Sequence, residues 1–270
     1  MTTGQLTVYA FRDTFSQGDT IAAMVTFTLT KETKLKGLSV KLKGDADVHW
    51  SEGTGDKRRS HSVLYFPKET INLSSGLHFL KGKFTFLASK RTSVFAFTKS
   101  CICGPFFSSS EMPSSFRGLH GKICYILVAK VSRSWRMPSS VQKELNFVSK
   151  SSHTHPQSGS VDKKMSGFAD GVIVLILTGD TVSVAAQIRN SSSKQTKTKF
   201  SLQQKIVYRA NASTKVNDQS LWKMVGETIE PNSAETASCQ FTVPADVTHT
   251  LQDCEIISVS HYLKVCNNAK

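Results

Sequence analysis

The sequence has no apolar run long enough to cross a bilayer. Its longest purely aliphatic stretch, Val172 to Leu177, is six residues, where a spanning helix needs about 20. The N-terminus, Met-Thr-Thr-Gly-Gln-Leu, lacks the apolar centre of a secretory signal. Both absences point to the cytosol, where Cys101, Cys103, Cys124, Cys239, Cys254 and Cys266 are expected as reduced thiols. The sequons at Asn72, Asn190 and Asn211 are then expected to carry no sugar. No window of about eleven residues or more keeps a helical period, which argues against bundles and alternating helix–strand folds. A glycine-rich phosphate loop, a Gly-x-Ser-x-Gly elbow and a His-Glu-x-x-His pair are all missing, and Gly53-Thr54-Gly55 sits in a polar stretch without the context a phosphate loop needs. Cys101 and Cys103 are spaced more tightly than structural zinc ligands, and His153 and His155 lie far from them in sequence. The expectation is a protein that is not an enzyme and that holds no cofactor and no metal.

Acid is scarce as well. The chain has 20 Asp and Glu against 34 Lys and Arg, a formal charge of +14. The excess lies in residues 1–155, which hold 22 basic and 10 acidic residues, whereas residues 156–270 hold 12 and 10. A basic first half points to an acidic partner, whether a phosphorylated peptide, an anionic membrane face or nucleic acid. The plainer reading is a charged, solvated surface.

What the sequence has in quantity is alternation. From Leu38 to Trp50 every even position is apolar or small and every odd position between them is polar. Successive strand side chains point to opposite faces, so this stretch has one dry and one wet face. At about 3.3 Å per residue it runs about 43 Å, beyond an ordinary strand of about 17–20 Å. Its dry face needs a broad second layer, most simply another sheet. Asp45 and Asp47 on the wet face are read as solubilising, and Trp50 and Trp135 as core or rim plugs. Further strands are expected at Leu6–Phe11, Ile21–Leu29, Val63–Phe66, Leu77–Phe86, Gly121–Trp135 and Leu145–Val148. Later ones are expected at Val172–Leu177, Val182–Ile188, Phe200–Tyr208, Phe241–Val243 and Ile257–Val265. Ser51–Ser62 reads as a polar loop, and 189–199 as a basic polar loop that can include a strand end. The stretch Ser149 to Met165 carries almost nothing to bury and reads as a linker. Gly18-Asp19-Thr20-Ile21 and Gly179-Asp180-Thr181-Val182 each open an alternating run, a mild sign of a duplicated unit. The expected organisation is all-β, two consecutive immunoglobulin-like sandwiches over residues 1–150 and 166–270, joined by 151–165.

Basic residues mark the candidate site. Lys41 and Lys43 project from the wet face of the long strand, and Lys130 from the polar end of the Gly121–Trp135 strand. Arg133 and Arg136 follow near its end, and Lys57, Arg58 and Arg59 sit on the expected loop. On a concave face this set would cradle an acidic or phosphorylated peptide. Nucleic acid fits less well, because there is no recognition helix, zinc finger or interleaved aromatic–basic platform.

The residues Gly37-Leu-Ser-Val-Lys-Leu-Lys-Gly-Asp-Ala-Asp-Val-His-Trp50 resemble the N-terminal half of an arrestin domain-containing protein, of the α-arrestin branch. Met112-Pro-Ser-Ser-Phe-Arg-Gly-Leu-His-Gly-Lys-Ile123 and Ser132-Arg-Ser-Trp135 do so as well, while Val184–Ser193 and Val225–Ile229 resemble the C-terminal half. The resemblance implies two arrestin-type sandwiches. It implies an adaptor that binds cytoplasmic tails of membrane receptors or transporters for endocytosis and endosomal sorting, often by bringing a ubiquitin ligase. It also implies a cytoplasmic protein recruited to the plasma membrane or endosomes. A rival reading is a peripheral module that binds anionic lipid through the basic half. Three departures from the pattern stand out. Among the seven prolines there is no Pro-Pro pair, hence no Pro-Pro-x-Tyr ligase motif, and the second sandwich is expected to stop short of a full set of strands. Residues 87–107 look inserted. Leu6–Phe11 lacks the paired lysines that sense phosphate in visual and β-arrestins.

Overall fold

The computed structural model describes residues 3–19, 21, 23–29, 33–52, 57–64, 70–74, 78–79, 82–88, 112–133, 136–149, 172–174, 181–244 and 247–269. Every regular element among them is a strand. The chain divides into two compact units, Met1–Ser151 and Ser152–Lys270.

The first unit holds β1 (Thr3–Ala10), β2 (Thr14–Phe15), β3 (Ala23–Leu29), β4 (Thr33–Glu52), β5 (Lys57–Leu64) and β6 (Thr70–Ser74). It continues with β7 (His78–Phe79), β8 (Gly82–Ala88), β9 (Phe116–Arg117), β10 (Gly121–Arg133) and β11 (Arg136–Phe147). One sheet runs β1-β3-β8; the other runs β2-β11-β10-β4-β5, with β6 and β7 also along β4 and β9 along β10. The long alternating run is the axis of this second sheet. β10 pairs with β4 from Val48 to Leu35, while β5, β6 and β7 share its other edge in turn. The dry face is as the alternation requires: Leu38, Val40, Leu42, Ala46, Val48 and Trp50 are all buried, as are Ile123, Tyr125, Leu127, Ala129 and Val131 of β10. Val25 and Phe27 of β3 complete the core from the other sheet. Tyr125 is buried outright; its hydroxyl donates to the Pro113 carbonyl at 2.7 Å and its ring tilts onto Phe147 at 5.1 Å. That contact straps the segment before β9 onto the core.

The second unit holds β12 (Val172–Val174), β13 (Thr181–Asn190), β14 (Thr196–Ala210), β15 (Ser213–Ile229), β16 (Ser233–Thr242) and β17 (Ile257–Ala269). Its sheets are β12-β17-β14-β15 and β13-β16. Phe200, Leu202, Ile229, Leu263 and Val265 of the first pack with Ile188, Cys239 and Phe241 of the second. Trp222 stacks on Phe241 with ring centroids 4.2 Å apart. A two-residue turn joins β14 to β15, with Asn211 at φ 53°, a left-handed value that asparagine tolerates. One row of polar side chains interrupts this core: Gln219 donates to Gln204 at 3.2 Å, Gln204 meets His261 Nε2 at 3.0 Å, and Thr250 meets His261 Nδ1 at 3.3 Å.

Several expectations change. The described residues of Ser51–Ser62 are strand: β4 runs on to Glu52 and β5 starts at Lys57. The 189–199 loop does include strand ends: Arg189 and Asn190 end β13 and β14 begins at Thr196. β11 is twelve residues long rather than a short strand at 145–148, and β15 is a seventeen-residue strand where no alternating run predicts one. Ser149, taken as the start of the linker, is buried; its N–H donates to Ser114 Oγ at 2.9 Å and its hydroxyl accepts from Gln17 at 2.7 Å. Linker residues 151–165, inserted residues 89–107, Trp135, the Gly179-Asp180 echo, and Cys101, Cys103, His153 and His155 lie outside the described residues.

Candidate functional site

Directly opposed residues of an antiparallel pair share a face, so the strand register builds the site. On the wet face of the β5-β4-β10-β11 sheet, Ser39 opposes Lys130, Lys41 opposes Val128, Lys43 opposes Ile126, Asp45 opposes Cys124 and Asp47 opposes Lys122. β11 adds Ser140, Gln142 and Glu144 beside Lys130, Val128 and Ile126. β5 adds Ser62, Ser60 and Arg58 beside Asp47, His49 and Ser51.

This face brings together Lys41, Lys43 and Lys130, with Arg58 toward the β4–β5 hairpin. Their neighbours decide which charges are available. Lys43 is ion-paired to Asp45, and Asp47 accepts from Ser62 Oγ at 2.6 Å. Lys41 and Lys130 form no ion pair among the described residues. They are diagonal neighbours, about 7–8 Å apart on an antiparallel ladder. Half-buried Ile126 and Val128 lie between the flanking polar rows.

The remaining candidates separate from this group. Arg59 opposes Trp50, in the inner-face phase, and its Nε reaches Glu52 Oε2 at 3.3 Å, where Glu52 also accepts from Trp50 Nε1 at 3.0 Å. Arg133 falls in the dry phase of β10, is 9% exposed, and donates to Ser139. Its burial takes it out of the cradle. In register, Lys57 opposes Glu52 and Arg136 opposes Arg133.

The wet face also holds cations outside the expected set. Lys122 is exposed and in phase with Lys130, so alternation alone would have found it. Arg117 arrives through β9, which opposes Lys122, and its Nη2 donates to Glu144 Oε1 at 2.7 Å. That bond raises the Arg117 guanidinium above its usual value. Cys124 is buried on this face. Burial first, then the Glu144 carboxylate, push its thiol up, partly offset by Arg117 and Lys122, so it is no ready nucleophile. Between β9 and β11 an open cleft is lined by Arg117, Glu144, Lys143 and Asp13. Its cations are already matched, Lys143 to Asp13 at 3.0 Å and Arg117 to Glu144. No group of side chains among the described residues could hold a metal ion, and no helix among them is long and apolar enough to cross a membrane. The arrangement suits electrostatic recognition of an extended anion.

Residues 8–153 match the family profile of the arrestin (or S-antigen) N-terminal domain, and residues 175–270 match that of the C-terminal domain. The chain belongs to the arrestin family. Arrestin domain-containing protein 4 of Mus musculus is 26% identical to this arrestin over 93% of the chain and 64% of that protein. The Homo sapiens protein of the same name is 24% identical over 93% of the chain and 63% of that protein. This arrestin therefore spans less than two thirds of the length of those relatives. Arrestin-family proteins are non-enzymatic adaptors. Among solved structures, the sporulation control protein Spo0M of Bacillus subtilis is similar at a TM-score of 0.37 and 8% identity, over 54% of this chain and 49% of that one.

Proposed function

We propose that this arrestin is a cytoplasmic adaptor that receives acidic or phosphorylated cytoplasmic tails of membrane receptors or transporters, for endocytosis and endosomal sorting at the plasma membrane or endosomes. Its first domain does the binding, on the outer face of the β4–β10 pair. The observation that carries this reading is the pair Lys41 and Lys130, adjacent on a broad sheet face and without carboxylate partners among the described residues. Phosphate or carboxylate oxygens of an extended tail would meet these ammonium groups, and Ile126 and Val128 would meet its apolar side chains. Ubiquitination of cargo, if coupled to this adaptor, has to use a surface other than a Pro-Pro-x-Tyr segment within these residues.

The test is titration of phosphorylated receptor-tail peptides. Lys41→Glu with Lys130→Glu should weaken binding by about tenfold or more, the loss of one to two charge-assisted contacts, and added salt should weaken the wild-type complex. Affinity unchanged by the reversal removes the cradle. A second reading, an anionic lipid surface, draws support from Leu119, which is 73% exposed in the turn between exposed Arg117 and Lys122. Flotation with phosphatidylserine vesicles in the absence of peptide separates the two, since the peptide adaptor should stay unbound.

A further inference from the structure

The β4–β5 hairpin carries a feature that tail binding does not use. Ser60 is exposed on β5, an outer strand of its sheet. Lys57, Arg58 and Arg59 precede it without a break. Protein kinases that select basic substrates hold the segment extended and match cations two and three positions before the acceptor with carboxylates of their own cleft. β5 is already extended here, and its described ladder is to β4 alone. Ser60 lies three rungs from the hairpin end at Glu52–Lys57, so few rungs must open to present it.

We propose that Ser60 is the phosphoacceptor of a basic-residue-directed serine/threonine kinase. Ser60 Oγ attacks the γ-phosphorus of ATP and a new O–P bond forms. The bond from that phosphorus to the bridging oxygen breaks, ADP leaves, and the hydroxyl proton passes to the kinase's catalytic carboxylate. Ser62 is the competing hydroxyl, but it is held in its hydrogen bond to Asp47 and has Arg59 alone at the required distance before it. The product places about −1.5 to −2 charges between Arg58, two residues earlier on the same face, and His49 directly opposite. Arg58 is then matched within the chain, and the wet face loses most of two positive charges. Resting on the tail-binding reading, phosphorylation should release an acidic tail.

The experiment incubates the full chain with MgATP and the catalytic subunit of cyclic-AMP-dependent protein kinase, then maps phosphate by mass spectrometry. Phosphate is expected on Ser60, absent in Ser60→Ala, undiminished in Ser62→Ala, and slowed about tenfold in Arg58→Ala, the loss of one charge-assisted pair. Phosphate on Ser62 and not Ser60, or on other serines with Ser60 untouched, overturns the assignment. Tail-peptide titration of the treated protein, with treated Ser60→Ala as control, then reads the coupling. Weaker binding confined to the phosphorylated protein supports it; equal affinity overturns the coupling while the mapped acceptor stands. Tail binding that ignores Lys41→Glu with Lys130→Glu fails the cradle separately from both.

Discussion

Asn190 holds more of the structure together than its sequence motif announces. Asn190-Ser191-Ser192 is a sequon, yet the side chain is 3% exposed and fully engaged. Its Nδ2 donates to the carbonyls of Lys194 at 2.8 Å and Glu230 at 3.0 Å, with Ile229 at 3.3 Å. Its Oδ1 accepts from the Ser192 N–H at 3.1 Å and hydroxyl at 2.7 Å. The residue ties the end of β13 to the end of β15 and shapes the loop between β13 and β14. Asn190→Asp keeps the size but aims a carboxylate at three carbonyl oxygens. Each buried group left unsatisfied costs about 1–3 kcal/mol. At about 4 °C per kcal/mol for a domain of this size, the melting temperature of the second domain should fall by several degrees. Differential scanning calorimetry checks this, and an unchanged upper or lower transition in Asn190→Asp would show that the network is dispensable. Ser149 carries the same lesson. A serine opening a polar stretch reads as linker, yet one hydrogen bond to its hydroxyl and one from its N–H hold it in the first domain.

Among the strands, those with alternating apolar residues were legible, and the largely polar β5, β11 and β15 were not. β4, β10, β14 and β17 alternate apolar with polar because one face of each meets the core. β5 opens Lys-Arg-Arg-Ser-His-Ser and reads as a loop because an outer strand carries charge that discourages pairing with other chains. β11 and β15 are similarly polar along much of their length; their pairing partners, not their own composition, hold them extended. The same limit applied to the site. Phase along a strand put Lys41, Lys43 and Lys130 on one face and could have separated Arg133, whose odd number falls with Val131. The arrival of Arg117 depends on β9 pairing with β10, which no local pattern announces. β15 also bends: its register against β14 shifts twice, once between Lys197 and Lys199. Gly226 sits at that shift, and a Cβ there would lie 3.3 Å from Cε2 of Phe200, whose ring is fully buried. The ring cannot withdraw without opening the core. Gly226→Val should therefore destabilise by about 1–3 kcal/mol, the usual cost of overpacking. Urea unfolding measures it, and a stability equal to wild type would mean that β15 shifts outward freely.

At the scale of the whole molecule, each unit has its own core, so the two domains need not share a stability curve. Acid should distinguish them. His261 is 1% exposed among Gln204, Thr250 and the second core, and its pKa is lowered to about 4, by burial first and then by the charge of His249. The described neighbours in its row, Gln204, Gln219 and Thr250, carry no charge to stabilise an imidazolium. A histidine with a folded pKa below its unfolded value of 6.5 favours the folded state at neutral pH. The unfolded chain takes up the proton first, so stability is full above about 6.5 and is lost progressively as pH falls toward about 4. The effect belongs to the second domain. Trp222 reports on that domain and Trp50 on the first. With Trp50→Phe and Trp135→Phe, thermal unfolding followed by Trp222 fluorescence should move to lower temperature between about pH 7 and about pH 5. Adding His261→Gln, which keeps a hydrogen-bonding group in the row but cannot charge, should flatten that dependence while lowering stability at neutral pH. A Trp222 transition as steep in pH with glutamine as with histidine would assign the acid sensitivity to other groups and leave His261 a neutral packing residue.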